Sequence, residues 1–104
     1  AVGWGRDDKG WYYIKENKSR AAGEWLNLGQ AEYWIDSDGY MATGWRHFTN
    51  GAWYYFHSSG AMAVNYWVED KGKWFYLGSD GAMLTNIRTP DGYELGADGA
   101  WTGK

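Results

Sequence analysis

The sequence predicts an all-β protein built as a solenoid of tandem β-hairpin repeats. Three observations carry that prediction: aromatic residues make up 20% of the chain, sixteen glycines punctuate it, and the aromatic and glycine positions recur at a near-constant interval. Nine Trp, nine Tyr and three Phe supply bulky strand formers, while no long stretch shows the i, i+3, i+4 apolar spacing of an amphipathic helix. Frequent glycines suit tight turns between short strands.

The repeat organises everything else. Gly39, Gly60 and Gly81 are spaced by 21 residues, and Met41, Met62 and Met83 follow each of them in register. The residue seven places earlier is Trp53 or Trp74, with Glu32 in the second unit; in the first, Trp11 precedes Lys18 by the same interval. A second tryptophan opens each unit, at Trp4, Trp25, Trp45 and Trp67. The units run over 2–22, 23–43, 44–65 and 66–86, and a shortened C-terminal cap occupies 87–104. Together they form a single repeat module over 1–104.

Each unit is expected to hold two strands. In the third, the first strand begins at Trp45, a turn falls at Asn50-Gly51, and Trp53-Tyr54-Tyr55-Phe56 forms the second strand. The fourth has its turn at Lys71-Gly72 and its second strand at Trp74-Phe75-Tyr76-Leu77. Asn-Gly between aromatic runs is a strong hairpin signal. Further turns follow at Ser59-Gly60 and Asp80-Gly81. A lone hairpin of this size is marginal, so successive units must stack to bury their faces.

Alternation along the second strand separates two faces. Its second and fourth positions are Tyr12/Ile14, Tyr33/Ile35, Tyr54/Phe56, Phe75/Leu77 and Tyr93/Leu95, apolar or aromatic throughout, and are read as the shared core. Its first and third positions are Trp11/Tyr13, Glu32/Trp34, Trp53/Tyr55, Trp74/Tyr76 and Gly92/Glu94, where Glu and Gly interrupt the rings. A position that tolerates Glu in one repeat is not required for stacking in every repeat, so this face is the candidate for ligand contact.

Several function classes drop out. A net charge of −3 offers nucleic acid no general attraction. With no cysteine there is neither a disulfide framework nor a thiolate metal site, and no apolar run reaches the length of a membrane span. Asp36-Ser37-Asp38-Gly39 begins like a calcium loop but lacks the later ligands, and the equivalent Ser79-Asp80-Gly81 and Asp98-Gly99 read as turns. His47 and His57 have no acidic or cysteine partners arranged for catalysis, and Asp7-Asp8 and Glu69-Asp70 lie at hairpin turns rather than across a cleft. No catalytic residue, metal or cofactor is expected. The chain opens at Ala1 without a leader-like segment, which reads as a portion of something longer.

Rings set as pocket walls suit a quaternary ammonium, which is drawn to π faces at about 1–2 kcal/mol per desolvated ring and makes no hydrogen-bond demand. They also suit a sugar, whose hydroxyls need polar partners. Glu32, Asp36, Asn50 and Asn65 do not recur in equivalent slots, which favours the cation. A purely structural spacer is the third reading.

Units of the form GW…WYYF…GAMA, with their Gly-x-Met closing turn, resemble the cell-wall-binding repeats of the choline-binding protein family. The resemblance is loose over 3–22, firmer over 23–43, close over 44–85, and continues as a cap over 86–101. It implies a secreted Gram-positive cell-surface module, binding choline on teichoic acids through aromatic cages at junctions between hairpins. Related repeats in glucan-binding enzymes and clostridial toxins recognise carbohydrate, so a carbohydrate partner stays open. Carried over by motif, one junction uses Trp45, Trp53 and Tyr76 with Met62 at its edge, and another uses Trp4, Trp11 and Trp34. A third would use Trp25 and Tyr55, but Glu32 stands where the family has tryptophan, which either abolishes the site or adds a carboxylate. Trp67 and Trp74 form a last junction in which Glu94 stands in place of the third ring. In the first unit, Lys18 and Arg20 replace the turn glycine and the methionine.

Overall fold

The computed structural model describes residues 2–29 and 31–104. Among the described residues there are ten strands and no helix. In chain order these are β1 (Gly3–Asp7), β2 (Gly10–Ile14), β3 (Glu24–Asn27), β4 (Glu32–Ile35) and β5 (Gly44–His47). They continue as β6 (Trp53–Phe56), β7 (Tyr66–Asp70), β8 (Lys73–Leu77), β9 (Ile87–Arg88) and β10 (Glu94–Leu95). Consecutive strands pair into five two-stranded sheets. No helix of the described residues is long and apolar enough to cross a membrane.

Turn chemistry sets the registers. Asp70 pairs with Lys73, leaving only Lys71 (φ 53°) and Gly72 (φ 82°) between the strands. Positive φ at both central residues is the I′ geometry whose twist matches that of the flanking strands. In the first hairpin Asp7 pairs with Gly10, and the Asp7 Oδ1 accepts from the amides of Lys9 (2.8 Å) and Gly10 (3.2 Å).

A second turn follows each hairpin and returns the chain to its edge. It is closed in every unit by the same two backbone bonds, as in His57 N to Ala61 O and Gly60 N to His57 O, both 2.8 Å. An isolated bridge then pairs the fourth strand position with the methionine slot: Ile35 with Met41, Phe56 with Met62, Leu77 with Met83, and in the last unit Leu95 with Trp101. Lys18 takes the glycine's place in the first unit at φ 73°. An L-residue there carries a steric cost that the later repeats avoid.

The described residues fall into two compact units, one comprising the chain up to Gly44 with Phe56–Met62, the other Trp45–Tyr55 with Ala63–Lys104. In the first, Ala21, Leu26 and Ile35 are buried, with Trp4, Tyr13, Tyr33 and Met41 packed against them. In the second, Ala63, Val68 and Leu77 play the same part, covered by Trp45, Tyr55 and Met83. The fourth strand position is core from the second unit onward, with Ile35, Phe56, Leu77 and Leu95 buried, while Ile14 in the first unit is half-buried.

The second position behaves differently from the expectation that it would join that core. Tyr33 and Phe75 are only half-buried and Tyr93 is 41% exposed. The reason is that these rings lean on the opening tryptophan of the preceding hairpin, where they form part of a surface recess. The third-position rings instead pack across their own hairpin, as Tyr13 on Trp4 (5.1 Å) and Tyr76 on Trp67 (4.9 Å).

Candidate functional site

Each recess begins with two tryptophans on one face of one hairpin. Trp4 lies directly across from Tyr13, so Trp4 and Trp11 share that face by alternation along β2. Trp67 lies across from Tyr76, which places Trp67 and Trp74 alike on theirs. The next unit then adds a ring and a closing side chain, Met41 or Met83 in two cases and Trp101 in the third.

A backbone bond fixes that addition. The Met41 amide donates to the Trp11 carbonyl, the Met83 amide to that of Trp53, and the Trp101 amide to that of Trp74, each at 2.8 Å. Thus in these three repeats the residue two places after the turn glycine is anchored on the preceding hairpin at its exposed tryptophan. In the first unit of the fold, a Cβ on Gly60 would collide with the Met41 sulfur, so the bare turn of the third repeat is what leaves room for that side chain.

Three cavities share this construction among the described residues. In the first unit, Trp4, Trp11, Tyr33 and Met41 line an open cavity of about 450 Å³ with Ser58 and Ser59 at its rim. Trp4 and Tyr33 meet edge to face at 5.1 Å and 67°. In the second unit, Trp45, Trp53, Phe75 and Met83 line one of about 360 Å³, together with Asp70 and Asp98. There Trp45 meets Trp53 at 6.4 Å and 82°, and Phe75 at 5.5 Å and 76°. Also in that unit, Trp67, Trp74, Tyr93 and Trp101 line a cavity of about 330 Å³ with Asp91. Tyr93 lies 5.4 Å from Trp67 and 5.7 Å from Trp101, both near perpendicular.

Near-perpendicular rings are good ring–ring geometry and also leave converging faces around a hollow. Trp11, Trp53 and Trp74 are each 40–41% exposed, so their indoles stand open to solvent. No group of three or more His, Asp or Glu able to hold an ion occurs among the described residues.

The structure therefore moves the third wall one residue along the strand. Trp45 and Trp53 are joined by Phe75 rather than Tyr76, and closed by Met83 rather than Met62. Trp4 and Trp11 are joined by Tyr33 rather than Trp34, which packs on Trp25 at 5.4 Å. The Met62 amide bonds to the Glu32 carbonyl at 2.8 Å instead. The physical reason is strand alternation: third-position rings point to their own hairpin's opening tryptophan, second-position rings to the neighbour's. Trp25 lies 5.8 Å from Phe56, and Tyr55 lies 5.1 Å from Trp45. The Trp67–Trp74 pair does not lack a third ring, because Tyr93 supplies it and Trp101 fills the methionine slot. Glu94 is engaged elsewhere, accepting from Thr102 Oγ1 at 3.0 Å and lying 3.8 Å from Arg88.

The cavities are also lined by Tyr33, Met41, Phe75, Met83, Tyr93 and Trp101, which the motif alone does not single out. A usable signal was present: the second strand position is aromatic in every unit, whereas the third is Glu in the last. In the first unit, Arg20 occupies the methionine slot. Its guanidinium lies 4.5 Å from the Tyr12 ring and 4.6 Å from the Tyr40 ring, so the chain lays its own cation over Tyr12.

Tandem hairpins that build aromatic cages from successive repeats define a class of binding array. Choline-binding repeat models match residues 21–67 and 71–101, and a putative cell wall binding repeat model matches residues 2–17. The chain is 39% identical to the choline binding domain of a Streptococcus pneumoniae protein, covering 79% of this chain and 95% of that one with a TM-score of 0.69. The chain belongs to the choline-binding repeat family. It is 36% identical to S. pneumoniae choline binding protein F, crystallised with a peptidoglycan analogue, over 98% of this chain (TM-score 0.84). It spans only 33% of that protein's length. It is 28% identical to the multimodular endolysin of phage Cp-1, solved with choline, over 100% of this chain and 38% of that one (TM-score 0.72). No curated protein matches the chain.

Proposed function

We propose that the chain attaches a secreted protein to a Gram-positive surface by seating choline groups of teichoic acids in the three aromatic cavities. The observation that carries this reading is the repeated construction itself: two tryptophans from one hairpin, a ring from the next, and Met41, Met83 or Trp101 at the edge. A trimethylammonium group offers charge and methyl surface but no donor, and rings plus a thioether match it.

The polar rim does not recur. It is Ser58 and Ser59 in one cavity, Asp70 and Asp98 in another, and Asp91 in the third. A sugar would need hydroxyl partners in equivalent places, so this variation supports choline over carbohydrate. Three rings at about 1 kcal/mol each correspond to weak, about millimolar, binding per site. Several such sites facing a polymer of many cholines gain by effective concentration. The chain's own part is binding, and any catalysis belongs to other parts of the protein that carries it.

The test is a choline titration followed by tryptophan fluorescence with the melting temperature recorded at each step. Saturation near millimolar choline with a rising melting temperature is expected. A response to a glucan with none to choline would replace this reading with carbohydrate binding, and no response to either would leave a spacer.

A further inference from the structure

The three cavities share two tryptophan walls and an aromatic third wall but not their charge. In the first, the Arg6 guanidinium lies 5.7 Å from the Trp11 ring, and the rim residues Ser58 and Ser59 are uncharged. In the second, the His47 imidazole stacks on Trp53 at 4.6 Å and 21°, and Asp70 and Asp98 line the hollow. Lys73 offsets part of that charge, pairing across from Asp70 with its ammonium 3.9 Å from Asp98. In the third, Glu69 pairs directly across from Trp74, and Asp91 lines the cavity. The residue beside the exposed tryptophan thus changes from Arg to His to Glu along the chain.

A cation approaching Trp11 meets a guanidinium already drawing on that indole's π face, while one approaching Trp74 meets a carboxylate across the strand pair. Exposed charges interact weakly, yet one unit charge at about 4 Å in water still changes an equilibrium about fivefold, and salt screens it. The cavities share two tryptophans and an aromatic third ring and differ besides charge in having Met41, Met83 or Trp101 at the edge, and exchanging the charges alone separates the two contributions.

Building on the cage reading above, we infer that the cavities take up a quaternary ammonium in a fixed order set by these side chains. The Trp67–Trp74 cavity fills first, the Trp45–Trp53 cavity second and the Trp4–Trp11 cavity last. Arg6, Glu69 and Asp91 are then specificity-determining residues, with the Arg6 end tolerating a phosphate-bearing choline better than the Glu69 end does.

The experiment follows the indole N–H resonances of Trp11, Trp53 and Trp74 through a choline chloride titration at a fixed ionic strength of about 50 mM, repeated at about 1 M. Trp74 should saturate at about tenfold lower choline than Trp11 in the first condition, and the three curves should converge in the second. Arg6→Glu and Glu69→Arg, both at exposed positions, should together reverse the order of Trp11 and Trp74. Phosphocholine should narrow the wild-type gap. An order unchanged by the charge swap, or equal curves at low salt, overturns the ranking while leaving the cages standing. Resonances unmoved by choline at all three tryptophans overturn the cages and the ranking together.

Discussion

Trp45 of one hairpin meets Phe75 of the next edge to face, with ring centroids 5.5 Å apart and planes at 76°. This contact closes a cavity that neither hairpin could form alone, and it links stacking of the repeats to ligand binding. Phe75→Ala should therefore cost about 1–3 kcal/mol of stability, less than a fully buried phenylalanine, because the ring is half-buried. It should also weaken choline binding at Trp53 by about tenfold, one ring's worth. Phe75→Tyr, which places in this slot the residue found at Tyr33 and Tyr93, should leave both within about twofold. Denaturant unfolding and a titration read at Trp53 check the two halves.

Trp53 and Tyr76 separate binding from folding. Trp53 is 41% exposed and walls a cavity, so Trp53→Ala should lower the number of choline sites while shifting the ligand-free melting temperature only slightly. Tyr76 packs 4.9 Å from Trp67 within its hairpin, so Tyr76→Ala should destabilise the fold and leave the Trp45–Trp53 cavity able to bind. Site counting by calorimetry, beside thermal melts, distinguishes the two outcomes.

Gly60 serves the cavity without lining it. Its φ is 90°, and an added Cβ would strike the Met41 sulfur. Gly60→Ala should cost about 2 kcal/mol through backbone strain and displacement of Met41. It should also weaken binding at Trp11 more than at Trp74, a selectivity that destabilisation alone would not produce and that the indole resonances report.

Two carboxylates make the fold acid-sensitive. Asp7 is held below its ordinary 3.8 chiefly by the Tyr40 hydroxyl, which donates to its Oδ2 at 2.7 Å, then by the Lys9 amide. Glu24 is held below 4.5 by the Ala22 amide and the Lys15 ammonium. Depressed values mean that the native state favours the ionised forms, so this stabilisation is complete above those ordinary values and lost as pH falls through the lower native ones. The melting temperature should decline with acid from about pH 4.5 downward. Tyr40→Phe should make the decline shallower, because Asp7 then loses its main reason to stay ionised. Melts across pH 2 to 6 measure the difference.

How much of this was legible before the structure depended on which regularity was read. The 21-residue spacing of Gly39, Gly60 and Gly81 announced repeated hairpins, because a turn glycine and its methionine have one geometric job that recurs in each unit. Lys71-Gly72 announced a two-residue turn through its demand for positive φ. Trp4, Trp11, Trp45, Trp53, Trp67 and Trp74 were recognisable as cavity residues because they lie within single hairpins, where alternation is local. The partners Tyr33, Phe75 and Tyr93 were not, since their placement depends on how one hairpin is set on the next. That setting is made by backbone bonds such as Met83 N to Trp53 O, which leave no mark on residue type. Trp101 stands in a slot the earlier repeats mark with methionine, so the methionine pattern does not point to it.

The most direct test of the central claim, that each cage joins two tryptophans of one hairpin to the second-position ring of the next, is a nuclear Overhauser measurement on the choline-saturated chain. Choline methyl protons should show contacts to Trp45, Trp53, Phe75 and Met83 within one cavity, and none to Tyr76 or Met62. Methyl contacts to Tyr76 or Met62 in place of Phe75 and Met83, or none to any ring at saturation, would contradict it.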